Sequence, residues 1–256
     1  MNTLAIITKI ELKKLFQRKD SWLMFTILLV PILYSVGLAS NSDVITYTGA
    51  GNITAIGFAS AMFQMSQSMF IFNVILSAII GRSLASEIEN KSIRLYINRI
   101  GIRKLIYGGK ELALLIFSVF IDFLLILTSI VFYYAVLVRN PKVASGIFYD
   151  SNIGMEVAQI ICNCMFWLIT IFLVMLMAAR LKTLVCVGVY MILYIIMNLM
   201  SYIDGIKYLS PLHYIVAASS NSPQIAFSTI LFSLYAICMG ILFTHIGIRK
   251  IEKMDL

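Results

Sequence analysis

The sequence predicts an all-α integral membrane protein. Six transmembrane helices follow an amphipathic interfacial helix, with a short amphipathic helix between spans two and three and short outer re-entrant helices before span six. Three observations carry this. First, of 256 residues 61% are hydrophobic and only 12% charged, where a soluble domain carries roughly 25% charged residues. That is too little charge to solvate a globule, and too much apolar content for a disordered chain. Second, the apolar residues gather into six runs near the length of about 20 residues that a bilayer requires. Third, the net charge of +8 is distributed very unevenly along the chain.

The amino-terminal arm, residues 1–20, places Leu4, Thr8, Leu12 and Leu15 on one helical face and Lys9, Lys13 and Gln17 on another. Such a helix lies in the headgroup layer with its lysines toward acidic lipid. Its polar stretch is too long for a cleaved signal. The spans are expected at 22–39, 60–84, 112–138, 157–179, 183–200 and 225–246, all helical because lipid leaves backbone groups no other partner. Asn140-Pro141, Asp204-Gly205, Ser210-Pro211 and Ser222-Pro223 fall between them, as turn residues should. The segment Ser201–Ser222, with Tyr202, Tyr208 and Tyr214, reads as one or two short helices at the outer surface.

Seventeen of the twenty basic residues fall in the arm, the connection between spans two and three, the turn between spans four and five, and the tail. Arg139, Lys142 and Lys207 alone lie on the other side. Basic flanks stay in the cytoplasm, so both termini are expected inside a multi-pass protein of the cell membrane. The charge excess is then an orientation signal, and nucleic acid is not an expected partner. Cys162, Cys164, Cys186 and Cys238 lie within spans as small apolar residues. No paired catalytic groups and no metal-ligand cluster stand out, so neither an intramembrane enzyme nor a metal site is expected.

The connection between spans two and three is the most informative stretch. Ile93, Tyr96, Ile97 and Ile100 recur at helical spacing, while Arg94 and Asn98 occupy the polar face and Glu87 and Glu89 stand near the start. A two-faced helix of this kind can dock into a groove on a soluble partner. The stretch Glu87–Lys110 resembles the connection after span two in type-2 ATP-binding-cassette (ABC) exporter permeases, whose pattern is roughly Glu-x-Glu, a Gly-Thr-like pair, apolar residues, a Pro, then Arg and a closing Gly-Lys. Here Glu87 and Glu89 open it, Ser92 stands at the Thr, Arg103 at the Arg, and Gly109-Lys110 close it. The departures are Lys91 for the usual Gly and Ile100 near the expected Pro.

The resemblance is closest in style to bacterial peptide and lantibiotic exporter permeases, and its layout covers residues 1–256 as a single permease domain. It implies pairing with a second six-span permease, as homodimer or heterodimer, and with cytosolic ABC ATPase subunits. Residues 86–104 would form the coupling helix, with Glu87, Glu89, Asn90, Ser92, Arg94, Tyr96, Arg99 and Arg103 meeting the motor. Gly109-Lys110 is followed by Glu111 rather than Ser or Thr, so this stretch is no phosphate-binding loop. ATP and Mg are therefore expected on the partner, with no cofactor here.

Two sets of polar residues in the spans are candidates for a substrate path. Asp122 lies ten residues into the third run, about 15 Å deep. There a carboxylate costs roughly 2.5–3.5 kcal/mol unless neutralised, hydrogen-bonded (Ser118 and Thr128 are nearby in sequence) or facing a watery path. Ser60, Gln64, Gln67 and Ser68 form a polar stripe, either helix–helix glue or path lining. The expected function is export of an amphipathic or hydrophobic substrate, best a peptide. Drug, lipid or polysaccharide cargo and an ion-coupled secondary transporter are the alternatives.

Overall fold

The computed structural model describes residues 3–40, 45, 52–218 and 225–253, apart from the side chains of Asn98 and Arg99. Its helices are α1 (Thr3–Gln17), α2 (Lys19–Met24), α3 (Leu29–Ala39), α4 (Ala55–Ser68), α5 (Phe70–Glu89), α6 (Ile93–Ile100), α7 (Arg103–Ala135), α8 (Ile153–Ala178), α9 (Thr183–Met200), α10 (Pro211–Ala218) and α11 (Ile225–Glu252). Among the described residues the extended backbone pairing is one isolated bridge, Ile53 with Ala144. Among the described residues six helical segments are long and apolar enough to cross a membrane: Lys19–Ala39, Phe70–Glu89, Arg103–Arg139, Ile153–Ala178, Thr183–Met200 and Ile225–Glu252.

The first of these is α2 and α3 joined by a 3-10 turn over Phe25–Leu28. Pro31 explains the tightening: its ring crowds the carbonyl four residues back and it lacks an N–H to bond it. The second span differs from expectation. Instead of one helix over 60–84, the chain breaks at Met69, whose φ −70 and ψ 105 are extended, and the polar stripe belongs to the separate helix α4. The third is longer than 112–138, because Arg103, Lys104, Lys110 and Glu111 continue the helix rather than ending it. That leaves the connection as the short helix α6 instead of all of 86–104. The fifth span has the expected bounds. Pro211 begins α10, where its missing N–H costs nothing.

One shared core holds these helices. α8 packs between α11, α4 and α5, and α7 carries α1 along its amino-terminal half. Cys162, Phe166, Trp167 and Val174 of α8 are buried together with Phe117, Ile121 and Leu125 of α7. At the end away from α1, the Tyr133 hydroxyl donates to the Ile53 carbonyl and accepts from the Gly146 N–H. Asn140 Nδ2 donates to the Leu38 carbonyl.

The arm meets its neighbour at glycine. A Cβ on Gly109 would stand 2.5 Å from Ile7 Cγ2 and 3.0 Å from its Cβ, so α1 and α7 approach only because position 109 has no side chain. Gly109→Val forces the helices apart at a cost of about 1–3 kcal/mol. The expected result is a lower melting temperature in detergent and faster proteolysis of the arm, whereas Gly108→Val, beside open space but for Leu4, leaves both nearly unchanged.

Candidate functional site

The face of α1 expected from periodicity is buried at Thr8 and Leu15, joined by Ile7 and, against its chemistry, by Glu11. A carboxylate on a buried face needs a cation, and α7 supplies one. Lys110, with 0% of its side chain exposed, places Nζ 2.8 Å from Glu11 Oε2 and 2.9 Å from Glu87 Oε2. Lys14 Nζ closes the other side, 2.9 Å from Glu11 Oε1 and 3.3 Å from Glu87 Oε1. The four groups form a ring of alternating sign that unites α1, α5 and α7. Tyr96 of α6 lays its ring against it, 4.3 Å from Lys14 Nζ and 5.7 Å from Lys110 Nζ, a cation–π contact.

The ring sets its own protonation. Burial works against the Glu11 carboxylate, but Lys110 and Lys14 outweigh it and hold the group below its ordinary value of 4.5. Burial likewise works against the Lys14 ammonium, while Tyr96, Glu11 and Glu87 hold it above its ordinary 10.5. A lowered acid contributes stability above its unfolded pKa and loses it as pH falls through the folded one. A raised base contributes below its unfolded pKa and loses it on the alkaline side.

The remaining coupling candidates divide into two groups. Glu89 Oε1 accepts from both the N–H and the hydroxyl of Thr183, capping the start of α9, the role a carboxylate plays at a helix amino terminus. The Ser92 hydroxyl donates to the Glu87 carbonyl, and Arg103 donates to the Ile251 and Glu252 carbonyls at the end of α11. These residues hold the chain's own helices. The stripe on α6 turns the same way, with Ile93 buried and Tyr96, Ile97 and Ile100 half-buried. The apolar stripe is therefore partly covered by this chain, while Tyr96 and Ile100 still line a groove against α1. Asn90 and Arg94 face solvent with Leu95, which is 67% exposed. Arg99 has its side chain outside the described residues.

Lys91 has φ 56, the left-handed region that favours glycine, and is the one non-glycine residue to adopt it among those described. Between α1 and α6 lies a groove of about 470 Å³ lined by Ile6, Ile10, Leu95 and Ile100 together with Lys14 and Glu87.

Of the path candidates, Gln64, Gln67 and Ser68 come together in one small recess with Tyr194, Asn198 and Ser201. Ser60 stays apart, donating to the Gly57 carbonyl of its own helix. Asp122 is buried elsewhere, beside the Cys164 thiol of α8, and its Oδ1 has no hydrogen-bond partner among the described residues. The expected neighbours do not serve it: Thr128 donates to carbonyls of its own helix, and the Ser118 hydroxyl is unpartnered. Sequence reasoning missed Glu11, Lys14, Lys110 and Glu111; the last accepts from Thr244 of α11. The available signal was a lone acid on the apolar face of a basic arm. Among the described residues no group of three His, Cys, Asp or Glu side chains could hold a metal ion. No protein-family model and no curated protein matches this sequence.

The ring can be tested in two ways. Lys110→Met leaves buried Glu11 and half-buried Glu87 with one partly exposed cation and costs about 3 kcal/mol, read as a loss of thermal stability. Replacing Glu11 by Gln together with Lys110 by Met recovers part of it. Docking of the arm, followed by a fluorescent label at its exposed Lys13, should be flat between about pH 5 and 10 and weaken below 4.5 as Glu11 protonates.

Proposed function

We infer that the chain is the permease subunit of an ATP-driven exporter in the cell membrane, moving an amphipathic or hydrophobic cargo with separate cytosolic ATPases. The observation that carries the reading is the placement of α6. It is a short helix at the end of the bundle where both termini lie, presenting Arg94 and Leu95 outward while Tyr96 rests on a ring tied to three other helices. A push on α6 then reaches α1, span two and span three together. The arm end is the basic one, so it is the cytoplasmic end, where an ATPase would meet it. Lys91 supports the resemblance to type-2 ABC permeases in a further way: it takes a glycine-like conformation at the position where that family's pattern has Gly.

The cargo is best read as a peptide. The recess beside Gln67 is lined by uncharged polar residues, Gln64, Ser68, Asn198 and Ser201, together with apolar Leu212, Ile215 and Val216. A second six-span subunit would complete the path. The apolar residues Leu184, Ile192, Ile195 and Leu199 on the open face of α9 are suited to lipid or to such a subunit. One observation favours the ion-coupled reading: Asp122 and Glu111 are buried within span three, with no ion-pair partner among the described residues.

Co-purification from native membranes should bring down an ATPase chain with vanadate-sensitive hydrolysis. Arg94→Glu should reduce ATP-dependent cargo export by about tenfold with the melting temperature unchanged. Export driven by a proton gradient without ATP would establish the second reading and dismiss the first. Charge reversal at Glu89 is a poorer probe, since it also removes the cap from α9.

A further inference from the structure

Where spans one, two and five meet at the basic end of the bundle, a recess of about 670 Å³ opens to the outside of the molecule. It is lined by Arg18 and Asp20 at the entry to span one, Arg82 and Ser86 of α5, and Thr183 and Leu184 of α9. Two arginines here share one carboxylate. Arg18 takes both oxygens of Asp20, with Nε 3.2 Å from Oδ1 and Nη2 2.8 Å from Oδ2. Arg82 Nη1 stands 3.6 Å from Oδ2, an ion pair beyond hydrogen-bond reach. The Ser86 hydroxyl donates to the Arg82 carbonyl and the Thr183 hydroxyl to Glu89. The guanidinium of Arg82 is different: among the described residues it makes no hydrogen bond, and Asp20 is its ion-pair partner.

Its position gives that surplus a meaning. Arg82 lies seven positions before the end of α5 at Glu89, about 10 Å along the helix axis. A charge so placed on a spanning helix either turns inward to a partner or reaches outward to the headgroups. Arg82 reaches outward, with 57% of its side chain exposed. It shares the recess with Leu184, which is 84% exposed. A surface that offers leucine and a guanidinium together, at the edge of a bilayer, suits a molecule with an acyl chain and an anionic head.

Charge and shape narrow the occupant further. Two arginines against one aspartate leave the lining with one positive charge, which favours an anion and disfavours an ammonium. Lys19 and Lys182, both exposed, adjoin lining residues in the chain. The flat guanidinium fork matches two oxygens of a phosphate. The volume equals roughly twenty water molecules at liquid density, room for a phosphate together with its glycerol.

We propose that this recess binds the phosphodiester of an anionic phospholipid in the leaflet at the basic end of the bundle, with the Arg82 guanidinium on the phosphate oxygens and the acyl chains leaving over Leu184. Asp20 holds Arg18 beside it as the second positive charge. A lipid so held bridges spans one, two and five, and ties their packing to the anionic content of the membrane. The site does not depend on the cargo and stands with either transport reading.

The test uses the full chain in neutral detergent, with native mass spectrometry giving the dissociation constant of the first bound lipid. The probes are dioleoylphosphatidylglycerol, dioleoylphosphatidylcholine (whose choline cancels the phosphate charge) and the deacylated headgroup glycerophosphoglycerol. Phosphatidylglycerol should bind about tenfold more tightly than phosphatidylcholine, the worth of one charge-assisted hydrogen bond. Arg82→Gln should bring that ratio to about one with the melting temperature unchanged. Lys250→Gln, which removes an exposed charge from α11, should leave it at about tenfold. If Arg82→Gln does not fold, Leu184→Glu should abolish the preference in its place, by setting a carboxylate against Arg82 at a position that packs on little.

Equal binding of the two lipids by the unaltered chain overturns the proposal. So does a preference that survives Arg82→Gln, or Leu184→Glu where that variant is the one used. A preference lost as fully in Lys250→Gln also overturns it, because that marks diffuse attraction to a basic surface. Glycerophosphoglycerol should fail to displace the lipid even in roughly hundredfold excess, since it lacks the apolar contact of the acyl chains. Displacement would assign the recess to a soluble phosphate ester and overturn the lipid.

Discussion

A lysine ammonium with none of its side chain in water is the constraint on which this architecture depends. Lys110 sits at the start of the third span, where an unpaired charge would cost several kcal/mol. Glu11 and Glu87 make it tenable, and Lys14 balances the second carboxylate that this arrangement brings in. Each member needs both of its neighbours, so the arm, span two and span three cannot move independently without exposing or orphaning a charge. Tyr96 adds α6 to the same assembly. The ring also explains why an arm with exposed Lys9 and Lys13 packs along α7 through its buried face.

The same economy governs the helix ends. Glu89 caps α9, Arg103 takes the terminal carbonyls of α11, and Asn73 fills the carbonyl freed by the break at Met69. In lipid, or at its edge, such groups have no water to fall back on, so polar side chains close to helix ends are drawn into the fold. This is why several residues that looked available for a soluble partner are occupied within the chain, while α6 itself keeps Arg94 and Leu95 turned outward. Gln67 is one exception: its carbonyl is served by neighbours, while its amide and the adjacent Ser66 hydroxyl have no hydrogen-bond partner among the described residues.

The spans were largely legible because insertion depends on summed transfer free energy, which composition records directly. Thr183–Met200 stands between Lys182 and Ser201, and periodicity and hydropathy agree at both ends. The break at Met69 was not legible, since neither proline nor glycine marks it and its stabilising contacts come from Asn73 and from Tyr194 on another span. The bounds of span three were misjudged for a related reason. Charged residues from Arg103 to Glu111 look like loop until partners far along the chain neutralise them. Gln64, Gln67 and Ser68 were visible as a stripe, but Ser60 shares their helical face without sharing their recess.

The amino-acid sequence by itself determined which segments are apolar enough to enter a membrane, and how unevenly the basic residues are placed among the segments between them. Both follow from local composition and need no knowledge of neighbours. Tertiary structure alone decided which charges meet, since Glu11 and Lys110 stand 99 positions apart and nothing in either local pattern names the other. It also decided that the Gln67 amide is sealed with no hydrogen-bond partner among the described residues, and that Asp122 is buried apart from the recess beside Tyr194 and Asn198. Pairing energy depends on distance and burial, and those exist only once the helices have packed.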